Sequence, residues 1–210
     1  MRLGRGSLAG IFAVAIGATA AALAQGTSAP AKKIPPKPTK TTEEDRKQEN
    51  WEQAVNPGAE QKILEGFVGR WTSKSSIVVD PMRPPEETSG TAEGRMLLGG
   101  RFVEVVHTGT VMGQPFEGRM LMGYDNIAKK YVAVWVDSMG TAITHYDGTY
   151  DKNTKRLMMG ARFIDPMTRR PVSVRAVTAF TDPTSWTYEE HTKGSDGNER
   201  LTLKIAFKKG

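Results

Sequence analysis

From Trp71 to the last residue no stretch carries the apolar period of a helix. The chain instead runs as short segments rich in β-branched and aromatic residues, separated by turn signals. About ten such segments are predicted, at 71–79, 88–98, 101–111, 115–124, 130–137, 142–150, 156–164, 171–181, 185–193 and 198–208. Consecutive strands without crossover connections form an antiparallel meander, and a sheet of that many strands must curl or close. The expected fold is therefore mostly β, a roughly ten-stranded antiparallel up-and-down barrel preceded by a short helix. Related segments recur as GRMLLG (94–99), GRMLMG (118–123) and RLMMGA (156–161), which reads as likeness between strands.

Turn chemistry sets an expected register. Gly99-Gly100 suits a two-residue hairpin turn, which pairs Arg95 with Glu104, Met96 with Val103 and Ala92 with His107. Arg95 opposite Glu104 makes a sensible outer salt pair, so the Met96 face points inward. A turn centred on Gly113-Gln114 pairs His107 with Met120 and Val105 with Met122. If Tyr124 faces Tyr131, then Met120 faces Trp135, and Ala133, Trp135 and Asp137 lie inside. A Gly194–Gly197 turn pairs Lys193 with Asn198. It places Trp186, Tyr188, Glu190, Leu201, Leu203 and Ile205 on the core face, and Glu189, His191, Arg200, Thr202 and Lys204 outside.

The segment before the strands reads in four parts. Residues 1–24 have Arg2 and Arg5, an apolar run from Leu8 to Ala20, and Ala22-Leu23-Ala24. That is the order of a cleavable secretory signal peptide cut after Ala24, and it predicts an exported protein, periplasmic or secreted, with no integral membrane association after cleavage. The absence of a twin-arginine pair favours the general secretory route. Residues 25–42 are rich in Lys and Pro, with nothing to bury, and read as a disordered linker. Residues 43–56 read as a weak helix or linker, and 57–210 as the β domain. At the start of that domain, Asn56 can cap a helix with Pro57 at its first position and Ile63, Leu64, Phe67 and Val68 as its apolar stripe. Gly69 ends it, and Arg70-Trp71 opens the first strand.

The net charge of +6 owes much to the lysines of 25–42. The β domain is only mildly basic, which gives no nucleic-acid signal. With no cysteine, disulfides, thiolate metal sites and thiol nucleophiles are excluded. No Walker loop, G-x-S-x-G or H-E-x-x-H is present, so nothing marks the chain as an enzyme, and no cofactor is legible. The three histidines fall on separate strands with His191 outside, which argues against a zinc site. The sharpest constellation is the inward set His107, Met120, Met122, Trp135, Asp137 and Glu190. Buried ionisable groups are paired or functional. These six residues line a ligand cavity in one reading; in the other they are satisfied core groups or sit near the barrel mouth.

The combination Leu98-Gly99-Gly100-Arg101-Phe102, Gly113-Gln114-Pro115-Phe116-Glu117-Gly118, Gly123-Tyr124-Asp125, Trp135-Val136-Asp137-Ser138 and Gly148-Thr149-Tyr150-Asp151 resembles the DUF1579 family of uncharacterised bacterial proteins over about residues 57–208. The resemblance implies a calycin-like barrel, distantly similar to lipocalins and nitrobindins, and brings no activity or catalytic residues. The first functional expectation is a barrel that binds a small apolar or amphipathic ligand. The alternatives are a nitrobindin-like haem protein with His107 as ligand, an enzyme with Asp137 or Glu190 as base, and a non-catalytic envelope structural or interaction protein.

Overall fold

The computed structural model describes residues 42–78, 82–166, 168–194 and 197–210. The expected signal peptide and the expected linker up to residue 41 lie outside the described residues. Ten strands follow a helical entry: β1 (Gly69–Ile77), β2 (Glu86–Leu97), β3 (Phe102–Val111), β4 (Gln114–Asp125), β5 (Lys130–Asp137), β6 (Thr144–Asp151), β7 (Arg156–Ile164), β8 (Pro171–Asp182), β9 (Ser185–Lys193) and β10 (Glu199–Lys209). Each pairs antiparallel with the next, and β1 pairs with β10, so the sheet closes on itself. Closure leaves no edge strand. Among the described residues no helix is long and apolar enough to cross a membrane.

Helix α1 (Glu43–Val55) starts at Thr42, the last residue assigned to the linker. Its hydroxyl accepts from the Asp45 amide while the Asp45 carboxylate accepts from the Thr42 amide, a reciprocal capping box. Asn126 Nδ2 donates to the carbonyls of Gln53 and Asn56, and Arg101 Nη2 donates to that of Val55 at 2.8 Å. Asn56 therefore closes α1 and does not cap the next helix, as the sequence suggested. The second helical piece begins later and is a 3-10 helix, Gln61–Phe67. That helix has no side-chain cap; Gln61 Oε1 instead accepts from the Gly58 amide at 2.7 Å, in the turn before it. Three residues per turn align Gln61, Leu64 and Phe67 on one buried face and leave Ile63 and Val68 half-buried.

That face plugs one end of the barrel. Trp71 lies beneath it, with Nε1 donating to the Phe67 carbonyl at 3.0 Å. Phe67 meets Phe180 and Trp186 edge-on, each at 5.2 Å. The core continues upward through Val103, Val105, Met122, Tyr131, Leu157 and Phe207.

The register matches expectation at β2–β3 (Arg95 opposite Glu104, Ala92 opposite His107) and at β4–β5 (Tyr124 opposite Tyr131, Met120 opposite Trp135). It differs at two places. The β3–β4 turn is centred on Met112-Gly113, with φ of 52° and 73°, so Val111 pairs with Gln114 and His107 faces Gly118, not Met120. Two positive φ values fit a type I′ turn, whose twist suits a hairpin. The shift is two residues, so the inward face is unchanged. In β10 Lys193 pairs with Glu199, not Asn198, and a bulge lies between Leu201 and Leu203: Leu201 pairs with outward His191, and Leu203 with Glu190. Two residues then oppose one. Leu201 therefore faces outward and is exposed, while Arg200, opposite Thr192, shifts to the inward row; both reverse the sequence assignment.

Candidate functional site

The barrel interior changes character along its axis. Near the plugged end Leu64, Phe67, Trp71, Tyr131 and Leu157 are buried, with Met96, Tyr124, Tyr150 and Phe180 half-buried against them. Towards the open end Met120, Trp135, Asp137, Tyr146, Tyr188 and Glu190 are all only half-buried. A side chain pointing into a closed barrel shows surface to water where the lumen is unfilled or at its mouth. We call this half-exposed open half the chamber; Phe207 and Trp186, whose rings stack at 3.6 Å, lie beneath it.

One wall of the chamber is organised around a missing side chain. Gly118 on β4 pairs with His107 on one side and Asp137 on the other, forming an inward row across three strands. A Cβ on Gly118 would fall 2.3 Å from the Trp135 ring, so only glycine lets the indole lie across this row. The indole edge then meets His107 at 5.5 Å, and Phe116 stacks beside it at 6.4 Å. Trp135 Nε1 donates to Asp137 Oδ2 at 2.7 Å, while Asp137 Oδ1 accepts from the Met139 amide. His107 also touches Phe207 at 5.6 Å. Burial among these rings penalises the imidazolium and pulls the His107 pKa down to about 4, so it is neutral near pH 7.

The opposite wall carries Glu190. Its Oε1 accepts from the Tyr188 hydroxyl at 2.5 Å and from the Tyr146 hydroxyl at 2.9 Å. Both phenols are pushed well above their ordinary pKa, first by burial and then by the Glu190 charge. They remain donors at any physiological pH. The Asp137 charge also raises Tyr146, more weakly than that of Glu190.

Five of the six candidate residues take part in this chamber: His107, Met120, Trp135, Asp137 and Glu190. Met122 lies deeper, in the packed core. Tyr146, Gly118 and Phe116 complete the arrangement. The loop before β6 gives no two-residue turn from which the inward parity of Tyr146 could be counted. Among the described residues no group of three or more His, Asp or Glu is placed to hold a metal ion.

The comparisons bear on the fold. Residues 56–209 match the model of a family described as a protein of unknown function, DUF1579. The chain belongs to the DUF1579 family. The crystal structure of Rv2717c from M. tuberculosis superimposes with a TM-score of 0.56 at 12% identity, covering 74% of this chain and 99% of that one. The S-type phycobiliprotein lyase CPES from Guillardia theta gives a TM-score of 0.50 at 11% identity, covering 75% and 95%. No curated protein matches the chain. At such identities the likeness is one of fold.

Two hollows of this DUF1579 chain lie outside the lumen. A groove of about 600 Å³ crosses the outer face of β1–β4, and one of about 430 Å³ lies beside the 3-10 helix. Volume alone favours the outer groove, but its charges neutralise one another. Arg95 meets Glu104 at 2.7 Å and Arg119 meets Glu117 at 2.8 Å. Exposed pairs of this kind contribute little and leave nothing to recognise a ligand. The chamber instead combines apolar rings, oriented phenols and two carboxylates.

Proposed function

We propose that this protein is an exported, non-catalytic barrel that holds a small apolar or amphipathic ligand in the chamber at its open end. The observation that carries the reading is the half-exposure of inward Trp135, Tyr146, Tyr188 and Glu190 above a packed floor. His107, Met120, Trp135, Asp137 and Glu190 are the contact residues, and Met122 supports them from below. The barrel of a phycobiliprotein lyase is consistent with a small-molecule role for this architecture. Export rests on the signal-peptide pattern of residues 1–24. The haem alternative has less support, because rings on two sides already occupy the surroundings of His107. The sequence carries no nucleophile or metalloprotease motif that would support catalysis.

The neutral dye N-phenyl-1-naphthylamine tests the reading. Its fluorescence should rise on mixing with the purified protein and fail to rise with Met120→Trp, which fills the chamber from its half-buried wall. Dye that binds equally to a folded Met120→Trp protein binds elsewhere. No enhancement with the unaltered protein refutes the chamber as a ligand site. Export is tested separately, by sequencing the N-terminus of the mature protein recovered outside the cytoplasm. A start at Gln25 is expected, and an intact Met1 there contradicts the cut.

A further inference from the structure

The open end of the barrel is ringed by exposed apolar side chains. Among the described residues eight large apolar side chains are more than half exposed, and five of them stand at this end. Met82 lies between β1 and β2, Met112 between β3 and β4, Met139 and Ile143 between β5 and β6, and Ile164 where β7 ends. Met82 reaches 90% exposure, whereas no large apolar residue of the walls between the two ends exceeds 42%. In a closed meander the connections alternate between the ends, so these residues recur at every second strand around the mouth. The other three are Leu98 and Ile127, at the plugged end, and Trp51 on α1. No chamber opens at that end, because the 3-10 helix fills it.

Apolar side chains concentrated around one opening mark a surface that another apolar phase covers. Three of the five are methionines, which adapt to an irregular or fluid partner. The charge of the rim narrows the choice. Segments 78–87, 164–171 and 193–200 carry five basic and six acidic residues, and segments 112–113 and 138–143 carry none. Both signs with almost no net charge complement zwitterionic headgroups, where phosphate and ammonium lie side by side, and give no strong pull towards an anionic surface. A second copy seated mouth to mouth would cover the same residues but shut both chambers, leaving a ligand no path. A bilayer covers them and sets the mouth against a store of apolar and amphipathic molecules.

From this we infer that the open rim docks on a zwitterionic lipid bilayer, with its methionine and isoleucine tips seated at the headgroup boundary, and that the chamber exchanges its ligand with the lipid there. Docking stands on the exposed rim alone, and the exchange rests on the chamber being the ligand site. The contact is peripheral and reversible, because it buries a few side chains at the tips of connections.

The chain has no cysteine, so one introduced thiol takes one label. A polarity-sensitive nitrobenzoxadiazole dye is placed on Ile143→Cys at the open rim or on Ile127→Cys at the plugged end, positions 61% and 69% exposed. When the full folded chain is mixed with phosphatidylcholine vesicles, emission from position 143 should rise and move to the blue. Emission from position 127 should stay as it is in buffer. The response should be equal in about 0.05 M and about 0.5 M salt, because apolar contact is not screened. Adding Met112→Asn and Met139→Ser to the protein labelled at 143 should weaken vesicle binding roughly tenfold or more. Circular dichroism checks that the variant folds. A response at 127, or vesicle binding undiminished by the two replacements, overturns the docking. So does a response at 143 that needs anionic lipid and vanishes in salt. A response at 143 that grows with protein concentration in the absence of vesicles means that two copies meet at their mouths, and it overturns the docking too. Silence at 143 overturns the inference, while enhancement of the naphthylamine dye keeps the chamber as a ligand site. Vesicle docking without enhancement of that dye upholds the docking and removes the exchange.

Discussion

His107 shows how one side chain records its surroundings. Its pKa is pulled from 6.5 to about 4 by burial between Trp135 and Phe207. In the unfolded chain the imidazole takes a proton below about pH 6.5; in the folded chain it does so only below about 4. Stability contributed by the neutral folded form is therefore full above 6.5. It declines as pH falls from 6.5 to 4 and is level below that. The span corresponds to an upper bound of about 3 kcal/mol, lowered by the water that reaches the half-buried ring. Urea unfolding of the wild type and of His107→Leu at pH 7, 5.5 and 4.5 isolates this share. The gap between the two proteins should shift in favour of the variant as pH falls, and parallel curves would contradict the assignment. The inward position of His107, Asp137 and Glu190 was legible from strand parity, because a two-residue period is insensitive to even shifts. Tyr146 and the slot at Gly118 were not. They depend on which residues face each other across neighbouring strands, and Gly118 carries no side chain whose pattern could be read.

At the scale of the element, turn chemistry decided register where it was clear and misled where it was not. Gly99-Gly100 placed β2 against β3 in the right register, although positive φ begins one residue earlier, at Leu98 (48°), and the loop runs from Leu98 to Arg101. At β3–β4 the first positive-φ position is Met112, which no propensity rule selects, so the expected centre lay one residue too late. A methionine at φ 52° is strained relative to asparagine or glycine, and Asn-Gly is the preferred pair for this turn. Met112→Asn should raise stability by about 0.5–1 kcal/mol, seen as a higher urea midpoint with an unchanged slope. A fall in midpoint would show that Met112, 60% exposed, is held by something other than the turn. The β10 bulge was invisible for a different reason. Leu201, Leu203, Ile205 and Phe207 alternate without interruption, and alternation presumes one-to-one pairing. Thr202 breaks it locally. Its hydroxyl bonds that of Thr192 at 2.9 Å and donates to the Glu190 carbonyl at 3.3 Å, which holds the extra residue in place. The consequence reaches the chamber, since the bulge moves Leu201 out of the lumen and turns Arg200 towards the rim.

For the whole molecule, closure was legible as a necessity, since ten meandering strands cannot stay flat. The ladder that accomplishes it was not, because β1 and β10 share no turn and their pairing depends on the rest of the barrel being in place. Trp71 pairs with Lys209, and the Gly210 amide donates to the Arg70 carbonyl at 3.0 Å. Joining residues this far apart costs loop entropy before any contact repays it, so this ladder should form late. Phe207 is the test position. It is 1% exposed on β10, stacks on Trp186, and touches His107 beneath the chamber. Phe207→Ala should cost about 3–5 kcal/mol. If β10 docks after the rate-limiting step, nearly all of that cost falls on unfolding, which should speed up by roughly a hundredfold or more while refolding changes little. Stopped-flow refolding and unfolding limbs in urea read this directly. A refolding rate slowed in proportion to the lost stability would mean that the two ends of the sheet meet early, and that closure nucleates the barrel.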